Sequence, residues 1–472
     1  MGTMVDMEKK SELIFISSTL IGHLSSILEL AQILINSDNH LSITILIIKH
    51  QATPFSESYI RTVLASQPQI QIIDVEPPPE EEQTPIPQFT ASFFWSFMEW
   101  LKPHVKSTMQ NILSSYPNTV VGLVLDFLCV PFSDVGKDLG IPSYLFFPSN
   151  AGFLSLCLHF QKCQIEDVLN NSNHELLIQG FPSLVPSSVI PDDYYTRDEE
   201  QVVACNKLTK KFTETKGIII NTLSELEQYG IDTLTDGQTP PIYPVGPLID
   251  FKGLLNPSLD KVQHNRLFKW LDEQPPCSVV FLCFGSMGIF DPSQTREIAL
   301  GLQRSGVRFL WALRSPQTTD NKAEETLPEG FLEWMELEGK GMLCEWAPQV
   351  EVLAHKAIGG FVSHCGWNSI LESLWFGVPI LTWPIYGEQQ LNAFRMVREW
   401  GLAFELRVDY RRGSALVMAD EIEKGLKHLM DKDKIVHKKV QEMKEMARKA
   451  VLSGSSSFIS VRKLIDDMIG SN

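Results

Sequence analysis

Residues 346–389 read WAPQVEVLAHKAIGGFVSHCGWNSILESLWFGVPILTWPIYGEQ, and the middle of this run decides the fold. The β-branched and glycine-containing stretch 358–363 predicts a strand, the segment 367–376 predicts a helix, and only His364-Cys365-Gly366 separates them. The first backbone N–H groups of a helix lack partners and lie at the positive end of its dipole. The run therefore predicts an α/β protein in which a strand, a tight turn and a helix start form a phosphate site.

Apolar strands alternate with amphipathic helices on both sides of this run, which is typical of parallel sheets covered on both faces. Proline, glycine and polar residues interrupt the alternation at 245–262, where we place an interdomain linker. The sequence thus predicts two large domains. The predicted strands are 13–17, 41–48, 120–127, 144–147, 278–284 and 307–313, and the predicted helices are 25–36, 293–304, 419–430, 434–452 and 456–469.

Charge and cysteine content exclude several classes of partner. The chain has 472 residues and a formal net charge of −17, so its field repels polyanions and nucleic acid is not an expected partner. The apolar segment 13–16 is too short for a signal peptide or a membrane span, and we expect a cytoplasmic protein without membrane insertion. No C-x-x-C pair or zinc spacing occurs, so we expect reduced thiols and no metal site. The eight cysteines are Cys129, Cys157, Cys163, Cys205, Cys277, Cys283, Cys344 and Cys365.

The run 346–389 resembles, at every defining position, the signature of plant secondary-product UDP-glycosyltransferases. The resemblance implies the GT-B fold, in which two Rossmann-like domains with parallel sheets face an interdomain cleft. It implies an acceptor-binding domain at 1–245, completed by the C-terminal helix 456–472, and a UDP-sugar-binding domain at 246–455. The matching residues are Trp346, Pro348-Gln349, His355, Gly359, His364 to Ser369, Glu372-Ser373, Gly377 to Pro379, Trp383-Pro384 and Glu388-Gln389.

Donor contacts are expected just after the strands of the second half, because ligands of such sheets lie beyond the carboxyl ends of the strands. The resemblance implies that Trp346 stacks on uracil, that Ala347 bonds to it through its backbone, and that Gln349 and Glu372 hold the ribose. It assigns the remaining donor positions to the diphosphate and the sugar. These positions are Ser286, His364, Gly366, Trp367, Asn368, Ser369, Tyr386, Glu388 and Gln389.

Two donor positions have a purely structural alternative. Ser369-x-x-Glu372 also fits a capping box, in which each side chain satisfies a backbone N–H of its own helix, and Ser369 can serve both purposes. His355 lies nine residues before His364, an offset that fits no zinc motif, so we interpret His355 as structural and His364 as a phosphate donor.

The expected donor is UDP-glucose. In the resembled family Gln389 is a marker for glucose, and Trp367 stands where glucuronate users tend to carry a basic residue. Glu388 and Gln389 would bond to the sugar hydroxyls, which penalises a wrong epimer by leaving buried groups unpaired. Pro148 departs from the family, because relatives commonly have a threonine there whose hydroxyl can reach the sugar, and proline cannot make that contact.

His23 and Asp126 are the candidate catalytic residues. His23 follows the first predicted strand and Asp126 closes the predicted strand 120–127, so both are expected at the same carboxyl edge of one sheet. A neutral imidazole, with an ordinary pKa near about 6.5, can take a proton from a hydroxyl while a buried carboxylate orients it. Each residue alone is more often a loop, capping or backbone-binding residue, but Gly22-His23 and Asp126-Phe127 fall where the resembled family keeps its base and its partner.

The predicted reaction is an inverting displacement at the anomeric carbon that needs no metal and no cofactor, with UDP-glucose as co-substrate. Metal-dependent transferases use a D-x-D string, and Asp431-Lys432-Asp433 matches it, but this string falls between two charged helices and is interpreted as a solvated helix end.

The chain resembles the branch of the family that glycosylates flavonoids and related phenolics, and this resemblance implies such an acceptor, with a triterpenoid or another aglycone as the alternative. The aromatic segment 90–100 fits core packing and an apolar acceptor cleft equally well. We expect a monomer that binds a UDP-sugar and a small lipophilic acceptor. The predicted acceptor residues are Leu20, Gly22, Phe94, Phe127, Phe147 and Phe153.

Two other functional classes remain at this point. A UDP-sugar epimerase shares the two-domain shape, but it has no use for an aromatic pocket beside a His and Asp pair. A non-catalytic UDP-sugar or phenolic-binding protein would keep the site without turnover. The loop Ser17 to Leu20, which departs from the family's Pro- and Gly-containing loop, leaves this last possibility open.

Overall fold

A computed structural model describes residues 10–48, 69–75, 90–115, 119–162, 175–194, 198–251, 261–314 and 323–470. The middle of the predicted linker, 252–260, lies outside these residues. In the described ranges no helix is both long enough and apolar enough to cross a bilayer.

The first sheet is parallel throughout the part of the chain that is described. The described strands of the N-terminal half are β1 (Ser11–Ser18), β2 (Leu41–Ile48), β3 (Ile70–Val75), β4 (Val120–Asp126), β5 (Ser143–Phe147), β6 (Glu175–Leu176), β7 (Val185–Pro186), β8 (Gly217–Ile220) and β9 (Ile242–Pro244), and seven of them form this sheet. The order across the sheet is β3-β2-β1-β4-β5-β8-β9, while β6 and β7 form a separate antiparallel pair. Strands buried on both faces need continuous apolar sequence, and Leu13 to Ile16 of β1 are fully buried.

The second sheet is also parallel. Its strands are β10 (Val279–Cys283), β11 (Arg308–Ala312), β12 (Gly341–Cys344), β13 (Ile358–Ser363), β14 (Ile380–Thr382) and β15 (Ala403–Glu405). They are arranged in the order β12-β11-β10-β13-β14-β15. The two sheets confirm the predicted α/β class with two Rossmann-like halves. The domain boundaries at 245 and 455 stay a prediction.

Helices cover the sheets. In the N-terminal half the described helices are Ile21–Ser37, Ala91–Ser115, Ser133–Leu139, Ala151–Lys162, Glu199–Thr213 and Ser224–Leu234. In the C-terminal half they are Lys261–Asp272, Pro292–Ser305, Phe331–Glu338, Gln349–Ala354, Trp367–Phe376, Gln389–Phe394, Ala419–Leu429, Ile435–Ala450 and Ser456–Ile469. A π-helical turn, Arg395–Glu399, directly continues the helix Gln389–Phe394.

The last helix, Ser456–Ile469, returns to the first sheet. Leu464 and Ile465 are buried in the same core as Leu13, and the hydroxyl of Tyr144 donates to Asp467 Oδ2 at 2.8 Å. Because this helix follows the second sheet in the chain but packs on the first, it fastens the two halves together.

The helix predicted at 25–36 begins four residues earlier, at Ile21. Serine is common at helix caps, but neither Ser25 nor Ser26 caps this helix, whose N-cap residue is Leu20. The hydroxyl of Ser26 instead donates back to the carbonyl of Gly22 at 3.0 Å, a bond that serine makes inside a helix. His23 therefore lies on the first turn of a helix and not on a loop, and the helix backbone holds its side chain in position.

Candidate active site

A cavity of about 360 Å³ lies where residues that follow strands of both sheets meet. The wall from the first sheet includes His23 after β1, Phe127 after β4 and Ser149 after β5. The second sheet contributes most of the predicted donor residues. Those that line the cavity are Ser286, Trp346, Ala347, Gln349, His364, Gly366, Trp367, Asn368, Ser369, Glu372, Tyr386 and Glu388.

His23 and Asp126 are in direct contact, with 2.8 Å between His23 Nδ1 and Asp126 Oδ2. Asp126 is fully buried, and its Oδ1 accepts from the backbone N–H of Leu128 at 2.9 Å, so the carboxylate cannot turn away. A proton on Nδ1 that is donated to Asp126 leaves Nε2 as a free acceptor. Placement of the pair agrees with the sequence, and its catalytic role stays a prediction.

The pKa of His23 is raised above its ordinary value. Burial opposes this direction, but the charge of Asp126, its hydrogen bond and the charge of Glu388 together outweigh burial. The carboxylate therefore makes the imidazole a stronger base than burial alone would allow.

The signature helix, Trp367–Phe376, contacts the helix that carries His23. The side-chain amide of Asn368 donates to the carbonyl of Gly22 at 2.8 Å, and its oxygen accepts from Ser26 Oγ at 3.3 Å. The indole N–H of Trp367 donates to the carbonyl of Asn221 at 2.6 Å. Both predicted donor residues thus connect the two halves through their side chains, and their contact with the diphosphate stays a prediction.

The capping-box interpretation of Ser369 and Glu372 is wrong. The signature helix is capped by Gly366, so Ser369 is its third residue and cannot be the cap. Both side chains instead bond to Gln349, whose Nε2 donates to Ser369 Oγ at 2.8 Å and to Glu372 Oε2 at 2.6 Å. The three form one polar cluster in the cavity wall. Burial raises the pKa of Glu372 to about 7; the Gln349 hydrogen bond opposes this, and the charge of Asp250 adds to it.

His364 is a neutral imidazole, because burial lowers its pKa to about 4. Gly285 and Gly366 lie against it so closely that a Cβ at either position would come within 2.5 Å of its Nε2. Gly285 also has a φ of +75°, which few other residues adopt. His364 Nδ1 is buried without a hydrogen-bond partner in the described chain. A neutral imidazole can donate one N–H to a phosphate, and this role of His364 stays a prediction.

The predicted sugar-binding pair is only partly exposed to the cavity. Glu388 lines it and accepts from Ser149 Oγ at 3.3 Å, and burial raises the pKa of this carboxyl. Gln389 is buried and does not line the cavity. Its oxygen accepts from the backbone N–H groups of Ile385 and Tyr386 at 2.9 and 3.1 Å. Only its amide nitrogen remains to donate to a sugar.

The predicted acceptor residues divide into two groups. Leu20, Gly22, Phe127 and Phe153 line the cavity. Phe94 and Phe147 do not, contrary to expectation, because both are buried in hydrophobic cores. The ring of Phe147 lies 5.6 Å from those of Phe127 and Phe153, so it supports the lining residues from behind.

Arg314 and Asp250 line the cavity and were not predicted. Arg314 comes two residues after β11 ends at Ala312, so the strand-end rule that located the other donor residues could have found it. Asp250 follows no strand of the second sheet, and no sequence signal pointed to it.

The structural interpretations of His355 and Asp431 are confirmed. His355 Nε2 lies 3.2 Å from Oδ1 of Asp272 at the end of the helix Lys261–Asp272, and its Nδ1 accepts from the N–H of Ala357 in the same loop, so both nitrogens have structural partners. Asp431 accepts from the N–H of Asp433 and pairs with Lys434 at the surface between two helices. No cluster of metal-ligating side chains occurs in the described residues.

A family model, protein relatives and solved structures all match this chain, and they indicate the same class of protein. A family model described as "UDP-glucoronosyl and UDP-glucosyl transferase" matches residues 203–445. The pear (Pyrus communis) protein UDP-glycosyltransferase 71K2 is 49% identical, and the alignment covers 98% of this chain and 99% of that protein.

Two solved structures have a similar fold along nearly the whole chain. Medicago truncatula UGT71G1, complexed with UDP-glucose, matches with a TM-score of 0.90 and 60% identity over 99% of this chain and 100% of that one. Phytolacca americana UGT2, complexed with UDP-2fluoro-glucose and pterostilbene, matches with a TM-score of 0.83 and 30% identity over 97% and 100%.

Proposed function

Since the chain belongs to the family of UDP-glucoronosyl and UDP-glucosyl transferases, we propose that it transfers glucose from UDP-glucose to a hydroxyl of a small phenolic acceptor, with inversion at the anomeric carbon. The observation that carries this proposal is that His23, which is paired with the buried Asp126, lines the same cavity as the start of the signature helix. The UDP-glucose complex of the Medicago relative supports the choice of donor.

His23 acts as the general base in the proposed reaction. Its Nε2 takes the proton of the acceptor hydroxyl, the oxygen forms a bond to the anomeric carbon, and the bond from that carbon to the diphosphate oxygen breaks. UDP leaves with the electron pair, and the charge is met by the N–H groups at the start of the signature helix. Asp126 stabilises the imidazolium that forms. This scheme uses no metal.

A phenolic acceptor is supported by the lining of the cavity. The rings of His23 and Phe127 lie 5.1 Å apart, so an aromatic acceptor that stacks on Phe127 brings its hydroxyl to the base. The Phytolacca relative, which has a similar fold, is complexed with UDP-2fluoro-glucose and pterostilbene.

We also propose that the protein works as a monomer in the cytosol. All cysteines in the described residues are free, as expected for a reducing compartment. Gel filtration with light scattering tests the oligomeric state, and fractionation of the tissue of origin tests the compartment.

The test is incubation with UDP-glucose and a panel of phenols and triterpenoids, with detection of a mass gain of one hexose. Transfer to phenols, retained in EDTA, is the expected result. His23→Ala should abolish transfer while UDP still binds, because the variant loses only the base. Wild-type turnover in that variant would refute the base assignment, and a product from triterpenoids alone would refute the phenolic acceptor.

A further inference from the structure

Most charged side chains that line the cavity are acidic and would repel a negatively charged ligand, and one is basic. The acidic side chains Asp250, Glu345, Glu372 and Glu388 line it, whereas Arg314 is the sole lysine or arginine among the described lining residues. UDP carries a negatively charged diphosphate, which these carboxylates repel. A positively charged side chain in this wall would therefore offset the repulsion between the carboxylates and the diphosphate.

Arg314 is held in place without being neutralised. Its guanidinium carbon lies 5.3 Å from the centre of the Trp346 ring, and its Nη1 is buried with no hydrogen-bond partner among the described residues. A buried N–H without a partner is costly, and an arginine that serves only the fold is normally paired. The side chain thus has a donor that no described residue satisfies and that lies in the cavity wall, where a bound ligand can accept from it.

Arg314 lines the cavity together with residues of both the predicted uracil subsite and the predicted phosphate subsite. Trp346, against which it stacks, is the predicted uracil platform. Tyr386 lines the same cavity, and its ring lies 6.5 Å from that of His364 in the predicted phosphate subsite. Burial lowers the pKa of Arg314, but an arginine stays protonated near neutral pH.

We propose that Arg314 binds the diphosphate of the UDP-sugar, with its free N–H groups donating to phosphate oxygens, and that it holds the charge of the departing UDP. This inference rests on the proposed function, since it assumes a UDP-sugar in the cavity. The competing explanation is that Arg314 only supports the Trp346 ring. The two differ in which part of the nucleotide would lose affinity when Arg314 is replaced.

Calorimetric titration with uridine, UMP and UDP separates these explanations. In Arg314→Gln we expect UDP to bind roughly 10- to 100-fold more weakly, UMP to be affected less, and uridine to bind as in the wild type, because charge-assisted hydrogen bonds to phosphate are lost. Arg412→Gln is the matched control. Arg412 is exposed near the same cavity and donates to the carbonyl of Met287, and its removal should leave all three affinities unchanged.

Equal weakening of uridine, UMP and UDP in Arg314→Gln would overturn the proposal and assign Arg314 to the support of Trp346. No weakening would overturn it as well. Arg314→Lys keeps the charge and serves if the glutamine variant does not fold: it should bind uridine as the wild type does and UDP more weakly, because the ammonium offers fewer fixed N–H groups than the guanidinium. Equal losses of uridine and UDP affinity would again contradict the proposal. A wild-type protein that does not bind UDP would instead refute the proposed function.

Discussion

At the scale of single residues, the strength of His23 as a base depends on Asp126. Burial alone would lower the pKa of the imidazole, and the carboxylate 2.8 Å away reverses this direction. The neutral imidazole is the form that accepts a proton, so the rate should rise as the pH passes upward through the raised pKa of His23. The position of the acid limb of the pH–rate profile therefore reports the pKa of His23 as Asp126 sets it.

Asp126→Asn should move this acid limb to lower pH. Asparagine removes the charge but keeps the shape, so burial then determines the direction and the pKa of His23 falls. The maximal rate should fall by roughly 10²- to 10⁴-fold, because the imidazolium loses its counter-charge. A profile of kcat against pH measures both effects. An acid limb at the wild-type position would show that Asp126 does not set the pKa of the base.

Gln389→His should narrow the preference for UDP-glucose over UDP-galactose. The oxygen of Gln389 is bonded to the backbone of Ile385 and Tyr386, so the substitution changes both the free donor and the support of the loop that carries Glu388. The ratio of kcat/KM for the two donors is the measurement. Gln390→His is the control, because Gln390 is equally buried but donates to the carbonyl of Tyr410. An unchanged ratio in Gln389→His would remove Gln389 from donor selection.

At the scale of elements, the signature helix presents Ser369 and Glu372 to the same polar cluster. Residues three apart lie on one face of a helix, and Gln349 at the start of the helix Gln349–Ala354 bonds to both. Because the carboxyl of Glu372 has a pKa of about 7, its protonation changes in the physiological range. The carboxylate can accept one hydrogen bond from each hydroxyl of a ribose diol on each of its oxygens, whereas protonation turns one of these oxygens into a donor.

The KM for UDP-glucose should therefore decrease as the pH rises through about 7, the pKa to which burial raises the Glu372 carboxyl. Glu372→Gln should raise the KM and abolish this dependence, since an amide does not titrate and offers one acceptor oxygen. Steady-state KM values from pH 6 to 8, about one unit on either side of that pKa, measure both. A glutamine variant that keeps the pH dependence would show that another group is responsible.

At the scale of the whole molecule, a buried ion-pair network joins the two halves of the chain. Arg395 bonds to Glu227 and Asn150 of the N-terminal half and to Glu399 of its own turn, and its guanidinium lies 4.4 Å from the centre of the Trp400 ring. Glu227 also accepts from the N–H groups at the start of the helix Ala151–Lys162. This network holds the loop before that helix, which includes Ser149, against Glu388.

Arg395→Met should reduce the free energy of unfolding by about 3–5 kcal/mol, because it leaves the buried Glu227 carboxylate without its partner. Arg398→Met on the same turn is the control. Arg398 pairs with Glu405 at the surface, where such pairs contribute about 0–1 kcal/mol. Urea denaturation measures both variants. Equal losses in the two would mean that the interdomain pair contributes nothing beyond a surface pair.

The sequence by itself determined the strand, turn and helix of residues 358–376, and it determined that His23 and Asp126 reach one sheet edge. The first follows from local composition, and the second from the rule that parallel strands end on the same side. Only the tertiary structure decided that Ser369 is not a helix cap, that Phe147 faces a core, and that Arg314 keeps a free N–H in the cavity. Local preferences act over a few residues, whereas burial and hydrogen-bond partners depend on packing between segments far apart in the chain.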